Sequence, residues 1–353
     1  MSTGDLGFGA VGTVAYRDGD QVYAFGHELD AAGPRSLFLQ DSYVFGVIGN
    51  PIGVPDFGAM TYKLASPGGH NVGELTNDTF NAIYGTIGAN PPTIPLRATA
   101  RLGSQHVALD SAVADERELG FGGSLSLVAP TAAGTALNRL LDSFEPVAVT
   151  LCTRFRVREL KKPIGFCNDY FDAFTPLTDI LRAGSIVDNF DLAPLHIHGA
   201  AVSMALKRDF ADDVLVSADA PHRVVAGSKA KVRLTVRRRG GAGSRTLTLR
   251  VPIQSGLKPG NRTLVLKGNA FDVNEEDLLF ALFEELTGEL GGGRNRPEPR
   301  SVRQLAKAVA DVHRKVGIAA RFKHREERVV LESDDVAYEG QAKVRLLVVR
   351  ARR

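Results

Sequence analysis

Between Val11 and Leu102 short runs of β-branched and aromatic residues, at 11–16, 21–25, 36–48, 60–64 and 93–102, are broken by Gly, Pro, Asn and Asp. Runs of this kind bounded by turn formers read as strands, and their close succession predicts an antiparallel sheet of the barrel type. Asp18-Gly19-Asp20 lies between the first two runs and supplies residues that tolerate positive φ. Those two strands are therefore expected to pair as a hairpin.

The pattern changes at Thr131. Leu137, Leu140, Leu141 and Phe144 recur at helical spacing behind Thr131 as a cap, predicting a helix over 131–144 that Pro146 ends. Val147 to Leu160 alternates strictly, the mark of a strand with one buried and one wet face. A short helix is expected over Pro176 to Phe190. From Leu195 to Leu266 five runs, His196–Leu206, Asp213–Ala218, Lys229–Arg237, Arg245–Val251 and Arg262–Leu266, predict an immunoglobulin-like β-sandwich. Amphipathic helices over Glu275–Leu286 and Val302–Val316 follow, joined by a Gly- and Pro-rich linker, before two last strands at Arg328–Glu332 and Ala342–Val349. The expected class is mainly β with a few helices. Its parts are a barrel region (1–145), a connecting strand and helix (146–194), a sandwich (195–270) and a small α+β remainder (271–353).

A length of 353 residues exceeds what one core organises, and 44% hydrophobic with 24% charged residues is the balance of a folded globular chain. Forty-three Lys and Arg against 40 Asp and Glu leave a net charge of +3, which gives no support for nucleic acid as partner. No apolar run is long enough to span a bilayer. The first residues lack the basic and apolar regions of a signal peptide, so the protein is expected either to stay inside the cell or to begin within a longer gene. Cys152 and Cys167 could join neighbouring strands, but spacing does not establish the Cα distance a disulfide needs, and free thiols are the expectation.

The stretch Gly9-Ala-Val-Gly-Thr-Val-Ala-Tyr-Arg-Asp-Gly-Asp-Gln-Val-Tyr-Ala-Phe-Gly-His27 resembles the SpoIVB-type serine peptidase family, in which a Gly-Thr-Val/Leu-Thr-Tyr strand leads to a Gly-His pair. The resemblance continues in order through Leu37-Phe-Leu-Gln-Asp-Ser-Tyr-Val, Tyr62-Lys-Leu-Ala-Ser-Pro-Gly, Gly73-Glu-Leu-Thr-Asn-Asp and Pro92-Thr-Ile-Pro95, about the first hundred residues. It implies a trypsin-like barrel ancestry with His27 as general base, a role for which imidazole suits because it exchanges protons near neutral pH. An orienting carboxylate is also needed, with Asp30 and Asp41 the nearest in sequence, and Asp41 is preferred because it lies in a matching block.

The family's Gly-Met-Ser-Gly-Ser-Pro segment, whose glycines expose the nucleophile and place N–H groups for the oxyanion, is absent from this chain, and Ser36, Ser42 and Ser66 lack its Gly-x-Ser-Gly setting. The resemblance therefore implies a homologue of serine endopeptidases that is truncated or inactive, extracytoplasmic if an upstream segment is missing. The alternative is a non-catalytic protein-binding scaffold of the bacterial cell envelope. Either reading makes the partner a protein or peptide.

Other signals are weaker. His196 and His198 share a spacing that places two metal ligands on one strand face, but no third ligand stands at a telling distance, so no metal is expected. Gly7-Phe-Gly9 and Gly120-Phe-Gly-Gly123 lack the context of a phosphate loop, and no cofactor is expected. Arg237-Arg-Arg239 reads as a solvated hairpin tip.

Overall fold

The computed structural model describes residues 1–24, 28–29, 31–49, 61–66, 68–117, 123–141, 143, 146–241, 243–269, 298–322 and 328–350. The protein is mainly β, as the pattern predicts. After β1 (Ser2–Gly4), the first region carries β2 (Val14–Asp18), β3 (Gln21–Ala24), β4 (Gly33–Gln40), β5 (Val44–Gly49), β6 (Thr61–Ala65), β7 (Asn71–Thr79) and β8 (Ala82–Ile87). The expected β2–β3 hairpin forms, with Gly19 at φ 55° in its turn. The barrel-type region is an open antiparallel sheet in the order β2-β3-β8-β7-β4. The run 36–48 is not one strand. The chain breaks at Asp41–Tyr43, so that β4 joins this sheet while β5 leaves it to pair with β6 alone.

Next come β9 (Thr93–Leu102), β10 (Gln105–Ala114), α1 (Ser124–Asn138), β11 (Ala148–Val157), β12 (Ile164–Tyr170), α2 (Thr175–Asp188) and β13 (Ile197–Lys207). They form a six-stranded sheet in the order β1-β10-β9-β13-β11-β12. β13, expected in the sandwich, instead inserts at the centre of this sheet, parallel to β9 and antiparallel to β11. Its inward residues Ala200, Val202, Met204 and Leu206 need a partner layer, and the apolar faces of α1 and α2 supply it.

α1 starts seven residues earlier than Thr131, and it contains Pro130. Thr131 does not cap it, because its hydroxyl donates to the Leu127 carbonyl at 2.7 Å, the back-bond of a threonine within a helix. With Leu125, Val128, Ala129, Ala132, Ala133 and Ala136 all buried, α1 is largely a core helix; Thr131, Gly134, Thr135 and Asn138 alone reach solvent, a face with no charged residue to mark the helix in sequence. Gly184 of α2 lets the two helices touch, since a Cβ there would stand 2.6 Å from the Ser126 Cα.

The sandwich consists of β14 (Ala211–Asp219), β15 (Arg223–Val225), β16 (Lys229–Arg238), β17 (Ser244–Pro252) and β18 (Gly260–Gly268). It is completed, after α3 (Val302–Ala310), by β19 (Gly317–Phe322), β20 (Arg328–Glu332), β21 (Val336–Glu339) and β22 (Gln341–Val349). Its sheets run β17-β16-β14-β21 and β15-β22-β18-β19-β20, so the C-terminal strands expected to form a separate part belong to it. β16 shows why: Ala230, Val232, Leu234 and Val236 alternate into one core with Leu264, Ile318 and Val348. The helix expected to run to Val316 ends at Ala310, and its Leu305 and Val309 pack into the core beneath the six-stranded sheet, not into the sandwich. The expected helix at 275–286 lies outside the described residues. No helix among the described residues is long and apolar enough to cross a membrane.

Candidate functional site

Position 27 lies in the chain between β3, which ends at Ala24, and β4, which starts at Gly33. His27 itself and Asp30 lie outside the described residues. Their described neighbours are held by one buried acid: Asp78 of β7, 1% exposed, accepts the Leu29 amide at 2.9 Å and the Ala31 amide at 3.1 Å, one on each carboxylate oxygen. Two bonds to amides two residues apart hold the backbone at Leu29 and Ala31. Asp78 ends the Gly73-Glu-Leu-Thr-Asn-Asp block, yet an acid in a polar run next to a Thr reads as a turn, and only the register Gly33↔Asp78 brings it to the loop.

Asp41 is placed elsewhere. It follows Gln40 at the opposite end of β4, and the eight residues of that strand separate it from Gly33 by roughly 25 Å. Its carboxylate accepts the His70 amide at 2.5 Å and stands 3.2 Å from His70 Nδ1, on an exposed turn. The hydrogen bonds from His70 hold the Asp41 carboxyl below its usual range. Of the serines in the matching blocks, Ser36 donates to Glu74 at 2.6 Å, Ser42 donates to the Ser66 carbonyl, and Ser66 accepts the Tyr43 amide. All three are tied into strand and turn bonding.

A different serine stands out at the start of α1. Ser124 follows Gly123 at the N-cap, is fully buried, and its Oγ has no hydrogen-bond partner among the described residues. An orphaned buried hydroxyl costs ~1–3 kcal/mol unless something else compensates, so such a group calls for an explanation. The Ser124 amide donates to the Glu116 carbonyl, and the Ser126 amide donates to Asp188 Oδ2 at 2.8 Å. Asp188, at the end of α2, thus satisfies the first turn of α1 from outside, where the helix dipole favours an anion. Burial nevertheless raises the Asp188 carboxyl to about 7, outweighing the bonds from Ser126. Gly123 is required beside it, since a Cβ would sit 2.2 Å from the Asp188 carboxyl.

The two places meet through packing. Leu29, just after position 27, and Leu127, one turn into α1, join one apolar cluster with Leu37, Leu75, Ile83 and Ala114. Glu116, whose carbonyl holds Ser124, also accepts the Ser36 amide of β4 at 2.9 Å and lies 4.0 Å from Arg35. Beside α1 an open recess of ≈ 780 Å³ is lined by Arg117, Asp188 and the segment to Leu195.

No family model, curated protein or solved structure matches the chain.

The remaining candidates are accounted for locally. His196 pairs with Glu159 at 2.6 Å and His198 is exposed. Among the described residues no three His, Cys, Asp or Glu side chains gather as a metal site would require. Contrary to expectation, Cys152 and Cys167 form a disulfide. They are direct partners across β11 and β12 with Cα atoms 4.2 Å apart, the close approach of a non-hydrogen-bonded antiparallel pair. The pairing is a matter of register, which spacing alone does not give.

Proposed function

We propose that this chain is a homologue of the SpoIVB-type serine endopeptidases acting on a protein or peptide, with His27 as general base and Ser124 as nucleophile. The observation that carries the reading is the buried, unpartnered Ser124 hydroxyl at the start of α1. The sequence around it, Gly120-Phe-Gly-Gly-Ser124-Leu, keeps the glycines and final serine of the family's Gly-Met-Ser-Gly-Ser-Pro in the same places. It departs at three places, where that segment has its Met, its proline and, at Gly122, the serine of its Gly-x-Ser-Gly setting, so that Ser124 stands two residues beyond the family's nucleophile position. A reading that asks for the full segment passes over it.

In this scheme Ser124 Oγ attacks the scissile carbonyl carbon while the base takes its proton. The base then gives that proton to the leaving amine, and water releases the acyl group by the reverse exchange. The N-terminal turn of α1 supplies positive potential beside the developing oxyanion. Asp78 acts as a positioning residue, since its bonds to Leu29 and Ala31 hold the loop that follows His27.

The test is labelling of the full chain with a fluorophosphonate, compared with Ser124→Ala and His27→Ala. Labelling that both substitutions abolish supports the proposal. Labelling retained in Ser124→Ala refutes this assignment of the nucleophile. The complete burial of Ser124 favours one second reading, a protein-binding scaffold that keeps the peptidase fold without the activity. It predicts no labelling of the wild type.

A further inference from the structure

The six-stranded sheet has two unlike faces. α1, α2 and α3 cover one face. The other is covered only at its ends, where Ala114 packs with Leu37, Leu75 and Ile83 and Ala148 packs with Phe171, Phe210 and Ala337; between them the outward positions of β9, β13 and β11 are exposed or half-exposed. The strand register lays out this open face in rows. Arg97, Ala201 and Arg154 form one row across β9, β13 and β11, while Arg101, Ala205 and Thr150 form another. Between them lies Thr99, Ser203 and Cys152, and Arg156 stands beside Gly199 at the end. β13 thus makes a floor of Gly199, Ala201, Ser203 and Ala205, with arginines rising on both sides.

Acidic and basic side chains both stand on this face, and several of its arginines have no acidic partner among the described residues. Asp110 is paired with Arg97 at 2.9 Å, Glu159 is held by His196, and Asp169 accepts the Thr150 hydroxyl at 2.6 Å. Arg101, Arg154, Arg156 and Arg158 are exposed, and their guanidinium groups meet no acidic side chain among the described residues. Lys161 and Lys162 extend the same charge onto the β11–β12 turn.

We infer that this face docks an acidic α-helix of a protein partner, lying along β13. This inference is independent of the peptidase proposal. The arginine columns of β9 and β11 are two strands apart, roughly 9.5 Å, close to the ~10 Å width of a helix. The small side chains of the floor let a helix backbone come close, as helices do on the covered face. Carboxylates at i, i+3, i+4 and i+7 of that helix would reach arginines on either side, which bind carboxylate in bidentate fashion. Nucleic acid fits less well, because the outward rows include no aromatic ring on which a base could stack.

The experiment is fluorescence anisotropy of the full chain with a labelled Glu- and Ala-rich helical peptide of about twenty residues. A peptide with Lys in place of Glu and a DNA oligonucleotide, single-stranded and duplex, are run alongside. The acidic peptide is expected to bind, more weakly as salt is raised. The triple charge reversal Arg101→Glu, Arg154→Glu, Arg156→Glu should lower its affinity by on the order of tenfold or more. Ala201→Phe, which raises the floor without changing charge, should lower it by roughly fivefold. Failure of the peptide to bind, affinity unmoved by the triple reversal, or affinity unmoved by Ala201→Phe would each overturn the inference. Tighter binding of either DNA than of the peptide would also overturn it, in favour of a nucleic-acid surface.

Discussion

Removing the ionisable group at position 188 should flatten the pH dependence of stability. Burial lifts the Asp188 carboxyl from 3.8 to about 7, so the folded protein holds a proton there that the unfolded chain has released at the same pH. An acid raised on folding stabilises the protonated fold: its contribution is complete below the unfolded-state value and disappears as pH climbs past the folded one. Between about pH 5 and about pH 8 this amounts to about 2.5 kcal/mol lost from the wild type. Asp188→Asn keeps an oxygen to accept the Ser126 amide but cannot titrate. Urea unfolding of both proteins at the two pH values gives the answer as a double difference, in which every other titrating group cancels. A variant as pH-sensitive as the wild type would refute the assignment of a buried, proton-holding carboxyl to this position.

Other expectations follow from the same packing. Reducing the Cys152–Cys167 disulfide, or replacing both cysteines with Ser, should cost about 2–3 kcal/mol for a loop of this size, read as a fall in Tm with dithiothreitol that the double variant does not show. Asp213 is 1% exposed and held by Arg238 at 2.7 Å and by Arg245 at 2.9 Å; burial pushes its carboxyl up, and the two arginines together bring it below its usual range. Asp213→Ala should therefore destabilise the sandwich by about 2–3 kcal/mol, seen in urea unfolding at neutral pH, and most of the difference should vanish in acid. Gly184→Ala would push a methyl group into the Ser126 backbone and should cost about 1–3 kcal/mol, whereas Gly134→Ala, 3.5 Å from Leu177 Cδ1, should be tolerated; Tm values of the pair decide.

What the sequence disclosed depended on how local the cause was. β9 and β20 match their apolar runs to the residue, and α2 was legible from Pro176 in its first turn and from its periodic apolar face. α1 was misplaced because its exposed face, Thr131, Gly134, Thr135 and Asn138, is short and uncharged against a run of small buried residues, and because Pro130 looks like a boundary. The placement of β13 was illegible for another reason. Its alternation identifies a strand but not the sheet it enters, and its neighbours come from residues about 50 and 100 positions earlier. The candidate site divides in the same way. Position 27 stands out by its setting in the chain, whereas Asp78 enters only through the β4–β7 register and Ser124 only through the absence of a partner for its hydroxyl.

The path of the chain sets how this protein can be taken apart by recombination. After β13 it builds five strands of the sandwich, returns to lay α3 on the other core, and then adds the last four strands. A graft ending at Gly268 would leave β18 without both neighbours, β19 and β22, which come later in the chain. One running through to Val349 would carry Leu305, Val309 and Val312 away from the core they fill. Exchange of the sandwich for another module therefore needs junctions on both sides of α3. A single crossover after Val312 keeps the helix-backed core whole and splits the sandwich, whereas one just after Lys207 keeps the sandwich whole and takes α3 from the other core.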